Sequence, residues 1–169
     1  MKKHNGMRPH DIVVLLKIAA KGEQEWLMKD LASELGISHS EISESLNRSA
    51  FAGLLFGDKK RIMKLALLEF LEHGLKYVYP QHPGSLVRGI PTAFSAKPLS
   101  EHIQSSEPIV WPYGEGNVRG QALLPLHINV PKAALQDTKL YELLALTDAL
   151  RVGRAREKLM AIKELNDRL

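Results

Sequence analysis

The chain contains no cysteine, which excludes disulfide bonds and metal sites built from thiolates. It also has no apolar run that approaches the ~20 residues of a membrane-spanning helix. Residues 1–11 carry two lysines with no apolar stretch behind them, so we expect no signal peptide. These absences favour a cytoplasmic protein that does not enter a membrane.

No pattern of residues points to catalysis. The seven histidines include no pair at the three- or four-residue spacing that would place two metal ligands on one helix face. Nucleophile-elbow and phosphate-binding-loop motifs are missing, and the glycine-rich segment 114–120 is predicted to be a turn because it lacks the strand–loop–helix context. We therefore expect no enzyme activity, no metal site and no cofactor.

Positive charge is in modest excess. The 23 basic and 19 acidic residues give a net charge of +4, and the isoelectric point is about 9.3. This excess suits an anionic partner, although a surface can be this basic for solubility alone. The hydrophobic fraction of 44% is typical of a folded protein, and 169 residues allow one domain with extensions or two small ones.

The most informative segment is 26–55, which predicts two short helices joined by a sharp turn. Leu31 lies on the apolar face of the first helix, and Ile42 lies on that of the second. Gly36 permits the positive φ that ends the first helix, and Ser38 is predicted to cap the second, with Glu41 completing a capping box. This spacing is typical of a helix-turn-helix unit, which presents its second helix to the major groove of DNA.

Residues 8–57 resemble the DNA-binding part of MarR-like and related winged-helix regulators of bacteria. The matching positions share one pattern of small, apolar and hydroxyl side chains; they are Asp30, Leu31, Ala32, Leu35, Gly36, Ile37, Ser38, Ser40, Ile42, Ser43, Leu46 and Arg48. Glu44 and Asn47 depart from it, because basic residues are usual at both positions. The resemblance implies a transcriptional regulator, a repressor, in which a wing hairpin follows the second helix.

In this interpretation the second helix reads DNA with its exposed side. Asn47 would pair with adenine, Arg48 with a guanine or a phosphate, and Glu44 with cytosine. Ser38 and Ser40 would hydrogen-bond phosphates near the helix N-terminus. The remaining predicted contacts are two more side chains of this helix and four cations that follow it: His39, Ser43, Lys59, Lys60, Arg61 and Lys64. The four cations would bind a DNA phosphate, or they are solvent-exposed residues at the start of the next helix.

Three zones follow from the pattern. Residues 8–78 are predicted to be the helix-turn-helix domain, in which a helix over 61–73 leaves the wing short or missing. Residues 79–131 hold eight of the nine prolines together with apolar anchors, so ordered loops and short strands are expected. Residues 132–169 predict two C-terminal helices, broken at Gly153. The predicted fold class is mainly α.

The last helix carries an apolar stripe that can pack on its own subunit or serve as the seam of a homodimer: Leu159, Ile162, Leu165 and Leu169. A dimer suits a DNA-binding protein because two-fold pairing sets the spacing of its half-sites. The alternative function is a protein-interaction module, such as an antitoxin-like or adaptor subunit. Glu41 and Glu44 on the second helix favour that alternative, whereas the four cations favour double-stranded DNA as the partner.

Overall fold

The computed structural model of the protein describes residues 5–169; Lys2, Lys3 and His4 lie outside them. The helices are α1 (Pro9–Lys21), α2 (Met28–Leu35), α3 (His39–Phe51), α4 (Lys64–Glu69), α5 (Leu75–Val78), α6 (Val130–Leu135), α7 (Thr138–Val152) and α8 (Ala155–Arg168). The strands are β1 (Leu86–Pro91), β2 (Ile109–Pro112) and β3 (Val118–Ala122). None of the described helices combines the length and the hydropathy needed to cross a membrane.

The proline-rich zone forms a small closed barrel, so the fold is mixed α/β and the expectation of a mainly α protein is correct only in part. Strand β1 pairs antiparallel with both β2 and β3, while β2 and β3 pair with each other in parallel. Glycines make this tight closure possible. A Cβ added at Gly89 would lie 2.0 Å from the Trp111 carbonyl oxygen, and one added at Gly120 would lie 2.4 Å from the Pro108 carbonyl oxygen.

Helices α1 and α7 form the centre of the molecule and contact each other. Pro9 opens α1 at a position where its missing N–H costs nothing, and Ile12 to Leu16 of this helix are fully or almost fully buried. Helix α7 is buried on nearly all sides, between α1, α8 and the barrel segment. Side chains from all three zones of the sequence belong to one hydrophobic core.

A fully buried carboxylate ties the barrel to α7. Asp148 accepts hydrogen bonds from the Trp111 indole Nε1 at 2.6 Å, from Thr92 Oγ1 at 2.8 Å and from Arg151 at 2.9 Å. Burial raises the pKa of Asp148, while the Arg151 charge and the three donors oppose that rise. The three hydrogen bonds to Asp148 hold the barrel against α7, because the loss of any donor would leave the buried carboxylate with less compensation for its lost hydration.

The helix predicted over 61–73 begins later and ends later than expected. It starts at Lys64, passes through a π-helical turn at Phe70–Gly74 and continues to Val78. The late start has a clear cause, because residues 54–63 pair with each other: the Phe56 amide donates to the Arg61 carbonyl, and the Met63 amide donates to the Leu54 carbonyl. Arg61 therefore belongs to a hairpin and not to the helix.

The apolar stripe of α8 is only partly free. Leu165 is fully buried, and α8 packs against α7 and α4 of the same chain. Leu159 points outward and is 73% exposed. The stripe is thus not one continuous surface that a second subunit could cover. The break between α7 and α8 falls at Gly153, as the sequence predicts.

Candidate nucleic-acid interface

A tight turn joins α2 to α3, and it is built as the sequence predicts. Gly36 ends α2 in the left-handed region with φ 63° and ψ 31°. Ile37 is buried beneath the turn, and Ser38 Oγ accepts the Glu41 amide at 3.2 Å to cap α3. At the start of α2, Leu27 offers no side-chain cap, but its amide donates to Asp30 at 2.8 Å. Both helices thus begin with a side-chain contact to a free amide.

A residue from the far end of the sequence also holds this turn. Asn129 Nδ2 donates to the Gly36 carbonyl at 2.8 Å, and a Cβ added at Gly36 would lie 2.8 Å from that same nitrogen. Gly36 is therefore favoured by its left-handed backbone conformation, and a larger residue there would also have to displace the Asn129 amide. No local pattern in the sequence links the two residues, so sequence reasoning missed Asn129.

Five of the predicted contact residues in and before α3 lie toward solvent. Ser38, His39, Ser40 and Asn47 are exposed, and Ser43 is half-buried. The three- and four-residue spacing of Ser40, Ser43 and Asn47 places them on one side of α3, away from the buried Ile42. Glu44, also half-buried, follows Ser43 on this side. The outward side of α3 therefore presents hydroxyl, imidazole and amide groups together with the carboxylate of Glu44.

Arg48 does not lie on this surface, so the structure gives no support to the prediction that it reaches a base. Its side chain is 7% exposed and points at the first turn of α1. Arg48 Nε and Nη2 donate to the two carboxylate oxygens of Asp11, each at 2.8 Å, and Nη2 also donates to Glu41 at 2.7 Å. Asp11 is fully buried, so this bidentate ion pair neutralises a charge that would otherwise be stranded in the core.

Glu41 extends the same network instead of completing a capping box. Its Oε1 lies 2.8 Å from His10 Nε2 and 3.5 Å from an Arg8 guanidinium nitrogen, besides its bond from Arg48. The hydrogen bond from Arg48 lowers the pKa of Glu41 most, and His10 lowers it further. Asp11, Arg48, Glu41 and His10 therefore form one buried-to-surface network, which fixes α3 against α1.

A minimal hairpin follows α3, where the sequence predicts a wing that is short or missing. Leu55 bridges to Ile62, and the Phe56 amide donates to the Arg61 carbonyl at 2.9 Å. Lys59 sits at the tip with φ 57°, a conformation that only few non-glycine residues adopt. Its Nζ donates to Asn47 Oδ1 at 2.6 Å, which places the hairpin tip against the outward side of α3.

The four predicted cations do not form one cluster. Lys60 Nζ donates to the Trp26 carbonyl at 2.8 Å and lies 4.1 Å from the centre of the Trp26 ring. Arg61 pairs with Asp58 at 3.0 Å within the hairpin. Lys64 is directed to the C-terminal helix, where it donates to the Asn166 carbonyl at 2.8 Å. Lys59 hydrogen-bonds a side chain of α3, whereas the other three are held by Trp26, Asp58 and Asn166, so the idea of a four-cation phosphate site is not supported.

Comparison with known proteins gives no relative. No protein-family model matches the chain, and neither a curated protein nor a solved structure matches it. The resemblance to MarR-like regulators stays a prediction from the sequence.

Proposed function

We propose that the protein binds duplex DNA, with α2 and α3 acting as a helix-turn-helix and α3 entering the major groove. The hairpin at residues 54–63 would act as a reduced wing. One observation carries this proposal: Lys59 Nζ contacts Asn47 Oδ1 at 2.6 Å. A cation on a hairpin tip beside the polar, outward side of a helix pairs a phosphate contact with a base-reading surface.

The side chains available for reading bases are short and polar. Asn47 has the bidentate amide that suits adenine, and His39 and Ser43 offer further donors and acceptors. The Oγ atoms of Ser38 and Ser40 lie 3.2 Å apart at the N-terminus of α3, where the helix dipole favours a phosphate. The proposed activity is therefore sequence-specific binding by a transcriptional regulator, a repressor, with Arg48 holding α3 in place and not touching DNA.

Binding to the DNA upstream of the protein's own gene tests the proposal. Fluorescence anisotropy between 50 and 200 mM salt should detect a specific complex that Asn47→Ala weakens by about 1–3 kcal/mol. Lys59→Ala should weaken all sequences and reduce the log–log salt slope by about 0.9. Lys163→Ala, an exposed lysine on α8, is the matched control and should leave both quantities unchanged. Equal binding by all three variants would contradict the proposal.

A second function, as a protein-interaction module, is favoured by exposed aromatic side chains. Phe51 at the end of α3 is 75% exposed, and Phe56 in the hairpin is 42% exposed. Large apolar side chains in solvent are typical of a partner-binding surface when they cluster. If this function holds, Phe51→Ser abolishes co-purification of a host protein, whereas the anisotropy assay finds no specific DNA complex.

A further inference from the structure

A pocket of about 560 Å³ lies on the barrel, where β1 and β3 pair. Arg88 of β1 stands directly opposite Arg119 of β3, and both side chains line the pocket. Like charges directly opposite each other destabilise a strand pair. Within residues 5–169 no ion pair joins either guanidinium to an acidic side chain, and because both arginines are exposed, solvent alone screens this repulsion.

The backbone brings these two arginines especially close. The Arg88 carbonyl accepts from the Tyr113 amide at 3.1 Å, on the side of β2, whereas the Ser85 carbonyl accepts from the Ala122 amide at 2.9 Å, on the side of β3. Because backbone groups alternate in direction along a strand, Arg88 and Arg119 face each other without ladder hydrogen bonds between them. Opposed residues at such positions have Cα atoms about 4.5 Å apart, compared with about 5.5 Å at hydrogen-bonded positions. Both guanidinium groups can therefore reach one small ligand.

The other walls of the pocket suit a small anion with an organic part. Gly116 lines it without a side chain, because a Cβ there would lie 2.2 Å from the Gly89 carbonyl oxygen. Asn117 adds an amide group, and Leu86 and Val87 add apolar surface. Among the described residues that line the pocket, none is acidic. An anion would meet two positive charges and no competing carboxylate on the pocket wall.

We propose that this pocket, the Arg88–Arg119 pocket, binds the dianionic phosphoryl group of a small phosphomonoester. Two guanidinium groups balance two negative charges, and the planar fork of arginine matches phosphate oxygens in pairs. A carboxylate carries one charge and would leave the repulsion between the arginines half relieved. The apolar wall then receives the organic part of the ligand. This site is separate from the DNA-binding surface and does not depend on it.

Thermal unfolding at pH 7.5 and matched ionic strength tests the pocket, with inorganic phosphate, phenyl phosphate and acetate as probes. Without a probe, Arg119→Gln and Arg88→Gln should each raise Tm by about 1–4 °C, because the repulsion is removed. At ten times its Kd, phenyl phosphate should raise the Tm of the unmodified protein by about 3–6 °C. Either substitution should weaken its binding by about 10-fold or more. Arg156→Gln, which removes an exposed arginine of α8, is the matched control and should behave as the unmodified protein does.

The outcomes separate the possible ligands. Tighter binding of phenyl phosphate than of inorganic phosphate, lost in both arginine variants, supports a phosphomonoester. Tighter binding of inorganic phosphate overturns the monoester assignment, and equal stabilisation by acetate overturns the requirement for a dianion. Stabilisation that survives in both variants places the ligand elsewhere. If a DNA duplex protects the protein through these arginines and phenyl phosphate does not, the pair is a nucleic-acid contact and the proposal fails.

Discussion

Replacing Arg48 with methionine is expected to lower the free energy of unfolding and not to remove a contact with DNA. Asp11 is fully buried and receives two hydrogen bonds from Arg48, each 2.8 Å long. Removing one partner of a buried ion pair costs about 3–5 kcal/mol, because the other charge is left desolvated and unpaired. Methionine keeps the apolar stem of the side chain, so most of this loss reports the charge and not the packing. The corresponding fall in Tm is about 6–20 °C.

A double-mutant cycle separates the ion pair from other effects of the substitution. Asp11→Asn combined with Arg48→Met removes both charges, and its cost should be well below the sum of the two single costs. Urea unfolding followed by circular dichroism measures all four free energies of unfolding. Arg156→Met, which shortens an exposed arginine, is the control and should change stability by less than about 0.5 kcal/mol.

A stable Arg48→Met variant that loses its affinity for DNA would show that Arg48 turns outward to read a base. A variant that is destabilised, yet binds DNA normally at a temperature where it is folded, would support the buried role.

Sequence reasoning located the local features well because each depends on neighbouring residues. The left-handed turn at Gly36 and the cap at Ser38 are each set by one residue's own conformational or hydrogen-bonding properties. The break at Gly153 depends on a neighbour four residues earlier, because a Cβ there would lie 2.3 Å from the Ala149 carbonyl oxygen. The same holds for the ordered state of the proline-rich zone, where apolar anchors between the prolines indicated packing. Each of these signals can be recognised from a few neighbouring residues.

The features that were missed depend on residues far apart in the chain. Arg48 matched a motif position and was expected outside, but its burial is set by Asp11, 37 residues earlier. Short strands are expected within residues 79–131, but neither their positions nor their closure into a barrel, because glycine and proline interrupt them and leave no alternating pattern. Lys64 and Lys59 are neighbours in the sequence, but the hairpin and the start of α4 direct them to different partners, Asn166 and Asn47. Tertiary contacts decided each of these cases.

Two further predictions concern acid stability and assembly. Burial raises the pKa of Asp137, but the hydrogen bond and charge of Lys17 and the backbone amides at the start of α7 together outweigh it, so the pKa lies below its usual value. The lowered pKa of Asp137 adds to the free energy of unfolding above about pH 4, and this contribution is lost as the pH falls through the pKa of the folded state. Asp137→Asn, which can still cap α7, should therefore make the free energy of unfolding fall less at acid pH in urea titrations. Asp167→Asn, on the surface, should leave this pH dependence unchanged. A homodimer remains a prediction, and its best remaining seam on α8 is Leu159, because most of the apolar stripe is covered within the subunit. Leu159→Asp should therefore yield a monomer by light scattering, since a buried, unpaired carboxylate opposes association, while Leu124→Asp, at another exposed leucine, should leave the dimer intact. A Leu159→Asp protein that stays dimeric would move the seam away from α8.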